Sequence, residues 1–213
     1  HVVHVLAGRA GIVVPPAEVR RFGTRKSGGH GHHTFLSQRF DRTAEGERVH
    51  FASAMTLLDR TDGAGAHDGA SYLELADLLM RLGEDAPLDL EQLWRRIVFS
   101  VCVSNTDDHL RNHGFLLGVT GWLLAPAYDI NPDPHGAGLK LNISETDNAQ
   151  DLGLALDVAG VFRVKERRAR EILDDVCAVV NSWRAVATDH GLSRAAQDRM
   201  RRAFRVADAW AKT

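Results

Sequence analysis

The sequence has no run of about 18 apolar residues that would cross a membrane, and no basic-then-apolar leader that would direct export. A cytoplasmic protein without membrane contact is the expectation. Cysteine is scarce as well. Cys102 and Cys177 each sit inside an apolar helical pattern, which reads as two small buried hydrophobes, and two cysteines exclude a disulfide framework or a zinc quartet. Neither sign of charge dominates, because acids and bases nearly cancel to a formal −2; this argues against a strong electrostatic attraction to nucleic acid or membrane surfaces, while leaving local basic faces open. Lysine is nearly missing from the first two thirds, with Lys26 the only one before Lys140. The chain opens at His1, without an initiator Met, on residues 2–10 that read as the middle of an apolar helix, so a preceding segment is expected.

Against these absences, 213 residues of mixed composition suffice for one globular domain, or a domain with a small second lobe, and a sizeable core. Residues 2–10 read as helix stopped by Gly11, followed by an extended entry into a strand at 17–22. Residues 24–33 form a polar, Gly-rich turn, and a second strand over 34–41 completes a hairpin. His30, His32 and His33 in that turn are weighed as metal ligands and read instead as a solvated tip, since no cysteine or carboxylate stands beside them.

Beyond Arg42 helical period dominates. Short helices are expected over 52–58 and 72–82, joined by a flexible connector at 61–69. A strong helix covers 88–104, where Leu90, Leu93, Trp94, Ile97, Val98, Val101 and Cys102 share one face. Two short β segments follow at 114–118 and 121–125. A long helix is predicted over 169–187, ended by Gly191, and another over 194–211 with Ser193 as its N-cap. The basic runs at 163–170 and 199–205 read as solvated helix faces. The predicted class is α+β, mostly α, with residues 1–42 set apart from a helical portion over 43–213.

The polar stretch Asn105-Thr-Asp-Asp-His-Leu-Arg-Asn112 interrupts the most apolar part of the chain, and Asp129 follows 17 residues after Asn112 behind the hairpin-like segment. Asp107 and Asn112 stand five positions apart. In protein kinases an Asp at the first position orients the acceptor hydroxyl and takes its proton, an Asn at the second binds Mg²⁺, and a later Asp binds metal bridging the ATP phosphates. Such chemistry needs positioning and neutralisation of phosphate charge, for which hard oxygen ligands on Mg²⁺ are suited. The alternative pairing of His109 with His113 as transition-metal ligands on a helix is rejected, because Gly114 and the Asn and Asp neighbours favour an irregular loop.

The loop resembles the N-x-D-D/G-H-x-K/R-N motif of the HipA-like toxin kinases, and Leu124-Ala-Pro-Ala-Tyr-Asp129 resembles their later L-x-P-x-Y-D motif. Residues 35–42, ending in Arg39-Phe40-Asp41-Arg42, resemble the strand and hinge of that family, and residues 94–99 its helix before the loop. The resemblance spans the chain from about residue 6 onward and is only general after 150. It implies a protein-kinase-like, helical C-terminal lobe with a small β-hairpin remnant of the N-lobe, acting as an ATP- and Mg²⁺-dependent serine/threonine kinase. Asp107 is then the catalytic base, and Asn112 and Asp129 the metal ligands. Gln38, Phe40 and Tyr128 fall near the nucleotide. His109 has two readings, contact with the transferring phosphate or a brace for the loop. Asp108 orders the loop or binds an outer group, and Arg111 replaces the more frequent Lys. The family further implies a cognate antitoxin, DNA contact only through it, and a protein substrate such as an aminoacyl-tRNA synthetase.

The Gly-rich loop and N-lobe lysine that a kinase needs are not found. Lys26 lies in the polar turn, ahead of the glycines at 28, 29 and 31 rather than behind them. The chain therefore reads as a C-terminal portion, weak or inactive alone. The competing readings are a non-catalytic pseudokinase or partner-binding helical module, and a metal-dependent phosphohydrolase.

Overall fold

The computed structural model describes residues 1–22 and 32–210. Lys26, His30 and most of the Gly-rich turn lie outside the described residues. Helix α1 (Val2–Arg9) leads through a left-handed Gly11 into a hairpin of β1 (Ala17–Phe22) and β2 (His32–Ser37), paired antiparallel from Ala17 opposite Ser37 to Phe22 opposite His32. The expected second strand therefore ends at Ser37. Residues 39–42 instead form a charged knot, in which Asp41 accepts from Arg39 and Arg42 and is held at about 2 chiefly by the Arg39 bond.

A second sheet carries the order β3 (Phe51–Ser53), β4 (Gly114–Leu117), β5 (Trp122–Leu124), all antiparallel, with Phe115 opposite both Ala52 and Leu124. The helix expected from residue 52 starts only at Ala54, because 51–53 pair with β4; α2 (Ala54–Leu57) is capped by Ser53, whose Oγ accepts from the Thr56 amide. Gly114 permits the strand crossing, since a Cβ there would collide with the Phe51 ring.

Helix α3 (Tyr72–Leu82) begins at Ser71, whose amide donates to the Glu74 carboxylate. Helix α4 (Ala86–Val103) begins at Asp85, with Pro87 in its first turn. From Leu93 to Val103 every side chain of α4 is buried, because α3, α5 (Leu152–Asp157), α6 (Glu166–Asn181), α9 (Arg205–Trp210) and β5 pack around it. It is the axis of the molecule. The predicted 169–187 helix is two, α6 and α7 (Trp183–Asp189), broken where Ser182 Oγ bonds back to the Val179 carbonyl. The predicted 194–211 helix likewise divides into α8 (Arg194–Met200) and α9 around a 3₁₀ turn at Arg201–Phe204. The 61–69 connector is fixed to the 138–142 segment: the Ala66 amide donates to the Lys140 carbonyl, and Asn142 Nδ2 to the Ala66 carbonyl.

Candidate active site

Helix α4 ends on Ser104 in the left-handed region, φ 52°, which turns the chain sharply into the polar loop. Ser104 is fully buried and donates to the Ala203 carbonyl, while Arg205 donates to its oxygen and the Asp133 amide to its carbonyl. The base of the loop is thereby tied to α9 and to the segment beyond Asp129.

The two adjacent acids meet opposite surroundings. Asp107 is exposed; its carbonyl accepts from the His109 amide at 2.9 Å and from Asn112 Nδ2 at 3.2 Å, which closes the loop on itself. Asp108 points into the core. Tyr72 Oη donates to its Oδ2 at 2.8 Å, Ser100 Oγ lies 3.3 Å from the same oxygen, and His113 Nε2 lies 3.1 Å from Oδ1. Burial raises this carboxyl, but the facing His113 and the contacts from His113, Tyr72 and Ser100 outweigh it and hold it below the usual carboxylate value. Burial, with the neighbouring Asp108 charge, pushes the Tyr72 hydroxyl well up. Of the two readings given to Asp108, ordering the loop is the one its contacts support.

The second motif is clamped to the first. Tyr128 Oη donates to the Arg111 carbonyl at 2.6 Å, and the Asn131 amide donates to Asn105 Oδ1 at 3.1 Å. Asp129 adopts the left-handed region, φ 55°, and its Oδ1 accepts from Asn131 Nδ2 at 2.7 Å. The strand that delivers this turn is held from α4, where Asp89 accepts from the Leu124 amide at 2.8 Å and Arg96 Nη2 donates to the Ala125 carbonyl at 2.7 Å. Burial raises Asp89 to about 6, and the same effect lowers Arg96 to about 10. Burial also pushes Tyr128 up to about 12.

Asn112 and Tyr128 line one small cavity with Asn105, Asp108 and His113. Phe40 lies beside Tyr128, the rings tilted by 32° with centres 5.5 Å apart, so these two nucleotide candidates come together; Gln38 does not join them and lines a separate groove with Pro16, Glu18 and Leu36. His109 and His113 face different sides, the first lining a groove with Asp107 and the second buried against Asp108. Among the described residues no group of three His, Cys, Asp or Glu side chains is placed to hold a metal. A larger apolar cavity of about 460 Å³ between α1, α7 and α8 includes neither Asp107, Asn112 nor Asp129. Tyr72, Asp89 and Arg96 were not singled out by sequence; His113 enters there only as a rejected metal partner of His109, and the residue it faces is Asp108.

The model of the HipA-like C-terminal domain family matches residues 1–184. The chain belongs to that family. As a HipA-like domain it is also similar to a Haemophilus influenzae protein described as "Putative kinase", with 29% identity over 114 residues, covering 49% of this chain and 33% of that protein. Among solved structures, the Shewanella oneidensis toxin–antitoxin complex of HipA, HipB and operator DNA matches with a TM-score of 0.76 at 16% identity, over 98% of this chain and 53% of that one. The Helicobacter pylori proinflammatory kinase CtkA matches with a TM-score of 0.57 at 11% identity, over 99% and 81%. These two share the fold of the HipA-like domain, mostly α with small antiparallel sheets. The domain spans a third of the curated relative and about half of the Shewanella chain. Among the described residues no helix is long and apolar enough to cross a membrane.

Proposed function

We propose that this HipA-like domain is the C-terminal helical portion of an ATP- and Mg²⁺-dependent serine/threonine protein kinase, with residues 1–42 as the end of its N-lobe and hinge. The observation that carries the reading is the clamping of the Asp129 turn onto the Asn105–Asn112 loop through Tyr128 and Asn131. Asp107 serves as the base that orients an acceptor hydroxyl and takes its proton, because its carboxylate is exposed beside a groove while its backbone is locked.

The donor set fits Mg²⁺. Asn112 spends its amide NH₂ on the Asp107 carbonyl, which leaves Oδ1 as an oxygen ligand, and Asp129 keeps Oδ2 beyond its bond from Asn131. One amide and one carboxylate oxygen suit an ion that takes few protein ligands and fills its shell with phosphate and water. When bound, the metal would neutralise phosphate charge. Phe40 and Tyr128 offer apolar faces to an adenine, with Gln38 at the strand end before the hinge.

The N-lobe lysine and Gly-rich loop are expected elsewhere in the natural protein, so residues 1–213 alone should bind Mg-ATP weakly and transfer phosphate poorly. The Shewanella complex supports a cognate antitoxin as partner, with DNA reached through it. A protein of translation such as an aminoacyl-tRNA synthetase as substrate, and a cytoplasmic location, follow from the resemblance alone. The test is phosphate transfer from labelled ATP by the full-length protein, with Asp107→Asn expected to reduce the rate about 100- to 10,000-fold. Wild-type transfer by Asp107→Asn would refute the assignment. A full-length protein that also lacks the lysine and does not turn over would favour the non-catalytic module.

A further inference from the structure

The outer flank of Asp107 opens on a groove of about 180 Å³ lined by Met55, the 61–64 loop, His109, Arg111 and Lys140. None of Asn112, Tyr128 and Asp129, the residues proposed for metal and nucleotide, lines it. The groove thus reaches Asp107 without touching the residues proposed for metal and nucleotide, which suits it to an acceptor.

Its charges are unevenly matched. Arg111 is neutralised by Asp62, Nη1 to Oδ1 2.7 Å. Lys140 has no carboxylate within ion-pair reach among the described residues, although the chain around it is firmly held: its carbonyl accepts from the Ala66 amide at 2.8 Å, and Asn142 bonds to the Ala66 carbonyl. Its side chain lies along Gly65, where an added Cβ would stand 3.0 Å from Lys140 Cε and 3.2 Å from Nζ. The ammonium is thus seated beside the groove by a neighbour with no side chain, and half-buried. His109, on the same wall, has a buried Nδ1 without a hydrogen-bond partner among the described residues. A positioned cation without an acidic partner among the described residues, on the wall of a groove that also holds the proposed base, suits a ligand that carries a carboxylate.

We propose that this groove is the acceptor subsite and that Lys140 is its specificity residue, pairing with the carboxylate of an Asp or Glu that flanks the phosphorylated hydroxyl. The proposal rests on the kinase reading of Asp107. An anion reaching Lys140 has two sources, a carboxylate of the acceptor or the transferring phosphoryl group; the position of the groove favours the carboxylate.

The experiment uses the full-length protein with Mg-ATP and serine peptides that differ only in carrying Asp, Ala or Lys at flanking positions. The wild type is expected to prefer Asp at one position about tenfold in kcat/KM, expressed mainly in KM. Lys140→Met should abolish the preference while leaving the rate on the Ala peptide unchanged, and Lys140→Glu should invert it towards the Lys peptide. That charge swap separates loss of recognition from loss of folding. An equal fall in kcat on all peptides would assign Lys140 to the phosphoryl group and overturn the proposal, as would a wild-type enzyme indifferent to flanking charge. If no peptide and no protein is phosphorylated in an Asp107-dependent manner, the kinase reading itself fails and the subsite falls with it.

Discussion

Removing the Tyr72 hydroxyl should reveal how much of the loop is held from beneath. Tyr72 is fully buried, and its hydroxyl donates to a buried, ionised Asp108 at 2.8 Å. Tyr72→Phe deletes that bond without leaving a cavity larger than the oxygen, so a loss of about 1.5–3 kcal/mol is expected, the range for a hydrogen bond to a charged group. Asp108→Ala should cost more, about 3–5 kcal/mol, because it leaves the buried Tyr72 and Ser100 hydroxyls without their common acceptor and removes the carboxylate facing His113. The pH dependence gives a second reading of the same network. The folded carboxyl lies below its ordinary 3.8, so its stabilisation is fully present above that value and is lost as pH falls through the lower folded value. Urea unfolding followed by fluorescence of the buried Trp94 measures both effects. The gap between wild type and Asp108→Asn should be wide at neutral pH and close on the acid side. A Tyr72→Phe variant within about 0.5 kcal/mol of wild type, or a gap that persists unchanged below the folded pKa, would refute a charged Asp108 as the keystone of the loop.

Two further outcomes are expected. Asp89 is displaced the other way, raised by burial to about 6, so the folded state holds its proton more tightly than the unfolded chain and stability should fall as pH rises from about 3.8 to 6; Asp89→Asn, which keeps an acceptor for the Leu124 amide, should flatten that limb in the same urea titration. Cys102 and Cys177 lie in contact, Sγ to Sγ 3.7 Å, both buried, with the Cys102 thiol pushed well up by the Cys177 contact and by burial; neither should react with a thiol reagent in the native protein, and both should react in denaturant, as a timed labelling assay would show.

The apolar stripe of α4 and the spacing of Asp107, Asn112 and Asp129 were legible because each is a local pattern. The polar residues that matter most were not. Asp89, Arg96 and Ser100 occupy positions of α4 that helical period assigns to a wet face, and they are buried because neighbours cover the helix on all sides. Strand β3 escaped notice for a related reason: three residues carry no readable alternation, and its existence depends on pairing with β4 far along the chain. The break at Ser182 interrupts an apolar stripe whose period runs on through it, so only the serine's bond to Val179 marks the end of α6.

The adjacent acids make the same point about chemistry. Nothing in Asp107-Asp108 distinguishes the two residues, yet the turn that bonds the His109 amide to the Asp107 carbonyl sends one carboxylate outward and the other into a pocket of donors. On the proposed reading the outward acid is the base, and the inward one is committed to Tyr72, Ser100 and His113. With Asp108 fixed by α3, α4 and His113, Ser104 by α9, and the Asp129 turn by Asn105 and Arg111, the loop reaches its geometry before any ligand arrives. Phosphoryl transfer depends chiefly on positioning, and an enzyme that orders its groups during folding does not spend substrate binding energy to order them later. On the proposed kinase reading, the buried Asp108 network and the exposed Asp107 are two halves of one device, and damage to the first should appear as loss of transfer by the second.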